Sequence, residues 1–184
     1  TNWPGDHWVD LVGLLSEAGW YIILLGGSDV KGLADRIKEQ YPSVLNLVGQ
    51  LDWHATANSL EGCEAYIGND TGLSHFASLI VRKCLIILGG GTFRRFFPWP
   101  DHSHQYLIYH GLDCFDCNWE CKFDHKKCLT LVAPQAVYSS FLQMLKSSKV
   151  KEYDINPYDA AYPISWRRRP VPMNAFVSGG IAPS

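Results

Sequence analysis

Apolar positions recur with helical spacing over residues 5–18, where Trp8, Leu11, Val12 and Leu15 fall on one face. Gly19 stands where such a helix would end. The period then changes: Tyr21-Ile22-Ile23-Leu24-Leu25 is an unbroken apolar run of strand length, the pattern of a strand covered on both faces. Val30, Leu33, Ala34 and Ile37 return to helical spacing, and Pro42 punctuates the exit. The alternation continues with a strand over residues 44–48, a short helix over 54–62, a strand over 65–68 and a helix over 73–81. Residues 84–88 and 106–109 read as two more strands. Residues 134–145 close the series as a helix with Pro134 in its first turn.

Strands alternating with helices predict an α/β fold with a doubly wound parallel sheet, Rossmann-like in outline. Ligands of such sheets bind outside the carboxyl ends of the strands. Gly26-Gly27, Asn69-Asp70 and Gly89-Gly90-Gly91 all fall at those ends, so three turns are expected to converge on one crevice. After Leu145 the pattern stops: residues 146–184 carry Pro, Gly, Ser and the run Arg167-Arg168-Arg169. This stretch reads as a C-terminal tail, with Tyr153, Tyr158, Tyr162 and Trp166 able to dock it and the arginines forming a solvated face or an interface.

Asn69-Asp70-Thr71-Gly72-Leu73-Ser74-His75 carries the most chemistry. It joins a strand to a helix, and the unpaired N–H groups and positive dipole end of that helix make an anion site. Gly72 lets a phosphate approach the backbone, while Thr71, Ser74 and His75 add side-chain donors. Asp70 or Thr71 can equally be a plain N-cap, and His75 a helix histidine packed on its neighbours. Gly26-Gly27-Ser28-Asp29 also follows a strand; Ser28 or Asp29 can accept from ribose hydroxyls or cap the next helix. Arg94 and Arg95, beyond the third glycine turn, can reach a phosphate or stay at the surface.

Taken in order, Asn2-Trp3-Pro4, Leu25-Gly26-Gly27-Ser28-Asp29, Asn46-Leu47-Val48-Gly49, residues 68–75 and Leu88-Gly89-Gly90-Gly91-Thr92 resemble glycosyltransferase family nine, the lipopolysaccharide heptosyltransferases and their relatives. The likeness runs over residues 2–145, and residues 70–75 are its most specific part. It implies the C-terminal, donor-binding half of a GT-B enzyme that moves a sugar, typically a heptose from an ADP-linked donor, onto a saccharide or protein acceptor. The resemblance implies a donor site of Gly26, Gly27, Ser28, Asp29, Leu51, Asp52, Asp70, Thr71, Gly72, Leu73, Ser74, His75 and Gly90. The backbone of Thr71, Gly72 and Leu73 would hold the phosphates. Leu51, Asp52 and Trp53 would lie near the base, where Trp53 either stacks on it or belongs to the core. The third glycine of Gly89-Gly90-Gly91 departs from the family's shorter turn. The family's catalytic Asp stands in the N-terminal domain, so this chain is expected to hold no catalytic residue, to bind donor and not to turn over. A strand precedes the Trp-Pro element in the family. Here a removed segment, or another chain, would have to complete the sheet beside Thr1.

The 184 residues fit one domain over 1–145, including a Cys-rich loop at 110–130, with the tail at 146–184. A net charge of -2 makes no electrostatic case for nucleic acid or an anionic membrane, and no apolar run approaches a membrane span. A soluble, cytoplasmic protein is expected. Cys63 and Cys84 sit singly in apolar segments, as buried thiols do. Cys114, Cys117, Cys121 and Cys128 are clustered, and four thiolates can surround one structural Zn or Fe. Some relatives in the family hold iron on cysteines. Two disulfides or four reduced thiols are the other readings, and His110 and His125 are substitute ligands. No cofactor is required for the chemistry. Two rival functions share the pattern: a non-catalytic nucleotide-binding module, and a structural or assembly protein that keeps the fold.

Overall fold

A computed structural model describes residues 2–93, 95–97 and 105–147, and the backbone of 152–154. Helix α1 (Gly5–Glu17) starts behind Pro4 and ends in a Schellman turn. There Trp20 N–H donates to the Leu15 carbonyl at 3.1 Å and Gly19 N–H to that of Ser16 at 3.0 Å, with Gly19 at φ 82°. Strand β1 (Ile23–Leu24), a single 3-10 turn (Ser28–Val30), helix α2 (Lys31–Gln40) and strand β2 (Leu45–Asn46) follow. Helix α3 (Trp53–Glu61) is capped by Asp52, whose carboxylate accepts from Ala55 N–H at 2.8 Å. Then come β3 (Tyr66–Asn69), α4 (Gly72–Ile80), β4 (Cys84–Ile87), β5 (Gln105–Tyr109), α5 (Lys127–Thr130), α6 (Pro134–Lys146) and β6 (Glu152–Asp154).

Every strand pairing is parallel, as expected, but the sheet is in two pieces. β1 pairs with β2, and β3-β4-β5-β6 form a second sheet in that order. Between the pieces lies a cavity of about 740 Å³, bordered by residues 22–27 on one side and 65–69 on the other. The chain steps from β1 to β2 in one direction and from β3 to β4 in the opposite one. Right-handed crossovers then put α2 and α4 on opposite faces, so the reversal point of this doubly wound fold falls at the cavity. β4 is buried along its whole length, as its unbroken apolar run requires, and β5 is buried throughout with Gln105 included. Helix α1 lies against α2 and α6, and α4 against α3, β3 and β4. Trp3 is fully buried; its indole N–H donates to the Val132 carbonyl at 2.8 Å, and its ring meets Trp8 edge-on at 5.0 Å.

Two expected strands are shorter than their apolar runs. Residues 21–25 pair only over Ile23–Leu24 and residues 44–48 only over Leu45–Asn46. A two-stranded piece with one paired edge has few ladder bonds to hold it extended. Two elements were not expected at all. α5 is a single short helix within the cysteine-rich region, and β6 lies in the stretch read as a tail, pairing Leu107 with Glu152 and Tyr109 with Asp154. Tyr158, Tyr162, Trp166, Arg94 and the run Arg167-Arg168-Arg169 lie outside the described residues. No helix among the described residues is long and apolar enough to cross a membrane.

Candidate functional site

The structure brings together a subset of the expected donor residues. Gly26, Gly27 and Asp29, beyond the end of β1, line the same cavity as Thr71 and Leu73, beyond the end of β3. Asn2, Trp3 and Trp53 line the same cavity. Trp53 is 62% exposed and meets Phe76 edge-on at 4.9 Å, so it is no core residue. Ser28 lies exposed in the 3-10 turn, and Leu51 and Asp52 lead into α3, where the Asp52 side chain is engaged as a cap.

The turn from β3 into α4 has two kinds of side chain. Thr71 occupies the N-cap position with extended backbone (φ -145°, ψ 167°), yet its hydroxyl makes no capping bond. The plain-cap reading therefore does not hold for its side chain, and the first-turn N–H groups of α4 have no hydroxyl over them. A Cβ added to Gly72 would meet nothing within 4 Å, so the space above this helix start is clear. Ser74 points the other way. It is fully buried, donating to the Asn69 carbonyl and sharing a hydrogen bond of 3.0 Å with the Tyr66 hydroxyl. Burial pushes the Tyr66 phenol up to about 12, so it stays a neutral partner. The Asn69 side-chain oxygen accepts from Trp3 N–H at 3.2 Å.

His75 is half-buried, its ring stacked on Phe97 at 4.1 Å and its Nε2 3.7 Å from the Asp70 carboxylate. Burial lowers its pKa below the ordinary 6.5, against the opposing pull of Asp70. Burial also raises the Asp70 pKa, again against the charge interaction within the pair. At neutral pH His75 is thus an uncharged imidazole, and stacking on Phe97 fixes the plane of its ring. Phe96 and Phe97 were not anticipated; the one available signal was their position just after the glycine turn and its arginines.

That third turn does not line the cavity. Gly89, Gly90 and Gly91 are buried beneath rings of the cysteine-rich loop: a Cβ on Gly89 would lie 2.5 Å from Trp119, and those on Gly90 and Gly91 would run into Phe115 and Trp119. Asp116 N–H donates to the Gly90 carbonyl at 2.6 Å and Asn118 N–H to that of Gly91 at 2.9 Å. Arg95 binds Asp116 at 3.1 Å and Asn118 at 2.7 Å, which ties it to the loop. Asp116, Asn118 and Trp119 all have positive φ, so the loop doubles back to lay its rings on the glycines.

The expected metal in that loop finds no support here. All four cysteines are free thiols, and among the described residues no three His, Cys, Asp or Glu side chains group as a metal site. The disulfide reading fails with it. Burial first, and the neighbouring cysteines after it, raise the Cys114 and Cys128 thiols. The rings of Phe115 and Trp119 pack the loop onto the glycine turn.

The family model for glycosyltransferase family 9 (heptosyltransferase) matches residues 2–125. The chain belongs to that family. It is 24% identical over 152 residues to the lipooligosaccharide heptosyltransferase 2 of Campylobacter jejuni, covering 80% of this chain and 47% of that relative. Its fold matches the Escherichia coli ADP-heptose lipopolysaccharide heptosyltransferase II with a TM-score of 0.62 and 23% identity, over 78% of this chain and 42% of the other. It also matches an Escherichia coli heptosyltransferase solved with ADP, with a TM-score of 0.60 and 22% identity, over 77% and 39% of the two chains. The chain thus spans less than half the length of these relatives. Within the family-9 match lie all three glycine turns and the whole β3–α4 turn.

Proposed function

We propose that this chain is the donor-binding part of a glycosyltransferase that transfers a heptose-like sugar from a nucleotide-diphosphate donor, such as ADP-heptose, to a saccharide or protein acceptor in lipopolysaccharide biosynthesis. The observation that carries this reading is the start of α4, where Thr71 makes no capping bond and the space over Gly72 is clear. N–H groups and a positive helix end beside open space suit a diphosphate. When the bond from the anomeric carbon to the phosphate oxygen breaks, negative charge grows on the departing diphosphate. Fixed dipoles aimed at that charge stabilise it without reorganising, and His75 stands beside them in the first turn of α4.

On this reading Gly26, Gly27, Ser28, Asp29, Leu51, Asp52, Asp70, Thr71, Gly72, Leu73 and His75 form the donor site, with Ser74 and Gly90 buried behind it as support and exposed Trp53 offering a ring face to the base. The relative solved with ADP supports the choice of nucleotide. No metal is needed for this chemistry, which belongs in the cytoplasm. The acceptor hydroxyl must lose its proton to a base on another domain, so the 184-residue chain binds donor but turns over only with that domain as partner. Calorimetric titration with ADP and AMP tests the assignment. ADP should bind at least tenfold more tightly, roughly the worth of one charge-assisted bond to the second phosphate. Equal affinities would remove the diphosphate site.

A further inference from the structure

β3 carries a hydroxyl where packing alone needs none. In an extended strand, side chains two residues apart stand on one face, and the Tyr66 ring lies over Gly68. A Cβ on Gly68 would meet the Tyr66 hydroxyl and stand 2.6 Å from its Cε1 and 2.7 Å from Ser74 Oγ. Gly68 is therefore the gap through which the phenol runs along the strand to reach α4. There its hydroxyl lies 3.0 Å from that of Ser74, which in turn bonds the Asn69 carbonyl. A carbonyl only accepts, so the single Ser74 hydrogen is committed to Asn69, and the Tyr66 O–H is the donor to Ser74 Oγ. The three groups form one directed chain, in which each bond polarises the next. Phe would fill the space over Gly68 as well as Tyr does; what the hydroxyl adds is a fixed end to that chain.

The chain of bonds closes on the turn that leads into α4. Ser74 is the third residue of that helix, and its bond reaches back five residues to the last residue of β3. Asn69 is gripped twice, at its carbonyl by Ser74 and at its side-chain oxygen by Trp3 N–H, 3.2 Å away. The turn is thus fastened from its buried side, while the side over Gly72 stays clear. Ser74 is fully buried, so it can act on a ligand there only by holding the backbone. We infer that Ser74 and, acting through it, Tyr66 are positioning residues for a diphosphate. They set the backbone of residues 69–74 so that the N–H groups of Gly72 and Leu73 converge on one anion. A turn left loose would have to be ordered by the ligand, and affinity would fall by that cost. The inference rests on the donor reading of the α4 start and adds to it two residues that touch no ligand.

The test is calorimetric titration of ADP and of AMP into the 184-residue chain, Tyr66→Phe, Ser74→Ala and the double variant, with the melting temperature of each. Tyr66→Phe keeps the ring over Gly68 and removes only the O–H. The ratio of ADP to AMP affinity should fall about fivefold in Tyr66→Phe and at least as far in Ser74→Ala, the scale of one hydrogen bond. The double variant should match Ser74→Ala, because Tyr66 acts through Ser74. With a parent that prefers ADP, variants that melt lower yet keep the parent's ratio overturn the inference, since the hydroxyls then hold only the fold. A double variant that loses the product of both single losses overturns the role given to Tyr66. A parent that binds ADP no more tightly than AMP removes the donor reading instead, and this role with it.

Discussion

The imidazole of His75 lies flat on the ring of Phe97, with centroids 4.1 Å apart and planes 8° from parallel. Burial lowers the His75 pKa below 6.5 despite Asp70 nearby. In the unfolded chain the same histidine takes its proton at about 6.5. Between 6.5 and the lower folded value the unfolded state therefore holds more protons, and stability falls as the pH is lowered through that window. Asp70 contributes with the opposite sign at more acid pH. Its raised pKa makes the folded state the better proton binder there, so that contribution is lost as pH rises through the folded value. Urea unfolding from about pH 8 to about pH 5 should show the first loss in the parent and not in His75→Phe, which keeps a ring on Phe97. Parallel curves for the two proteins would remove the titration assigned to His75.

Gly72 is the sharpest probe of the α4 start. Its Cβ position is empty, so Gly72→Val should leave stability within about 0.5 kcal/mol. The new methyls would occupy the space proposed for phosphate and weaken ADP binding by about 1–3 kcal/mol, the scale of lost buried or charge-assisted hydrogen bonds. Calorimetry on both proteins measures the difference, and unchanged affinity would count against the site.

Trp3 anchors the N-terminal end of the described chain through two bonds, one from its backbone to Asn69 and one from its indole to Val132. Val132 is fully buried, so Trp3→Phe leaves a carbonyl without its partner in the core. The expected destabilisation is about 1–3 kcal/mol, read from the urea midpoint. A change near zero would mean that another donor replaces the indole.

Periodicity made the helices and most of the strands legible, because burial on a helix face or along β4 and β5 writes itself into spacing and run length. It also located the α4 turn. Other features were not legible. Thr71 and Ser74 are both hydroxyl residues in one turn, yet one faces outward without a capping bond and the other is buried on Asn69; composition is silent on which way each points. The four clustered cysteines read as ligands by spacing, while the loop is held by Phe115 and Trp119, whose partners are glycines distant in sequence. β6 has too few residues for any period to register.

A metal in the cysteine loop has a direct consequence that this structure does not predict. With free thiols and no ligand set among the described residues, treatment with a chelator should leave the melting temperature unmoved. Metal analysis should return well under one equivalent of zinc or iron. One equivalent, with a lowered Tm on chelation, would restore the metal reading.

Gly90 supplies the complementary test, because here the glycine is required by packing within the chain. The Phe115 ring lies where a Gly90 side chain would begin, with Asp116 N–H bonded to the Gly90 carbonyl at 2.6 Å. Gly90→Ala should therefore destabilise by about 1–3 kcal/mol through overpacking, although alanine at Gly72 should be nearly neutral. Phe115→Val should also destabilise, by loss of buried ring contact with Phe93 at 4.5 Å and with the core. Combined, the two changes should lose less stability than their sum, because the smaller residue makes room for the new methyl. The expected coupling is on the order of 1 kcal/mol and is read from a double-mutant cycle of urea unfolding. Strict additivity would mean that Phe115 is not what confines position 90, and that the cysteine loop is held on the glycine turn by something other than its rings.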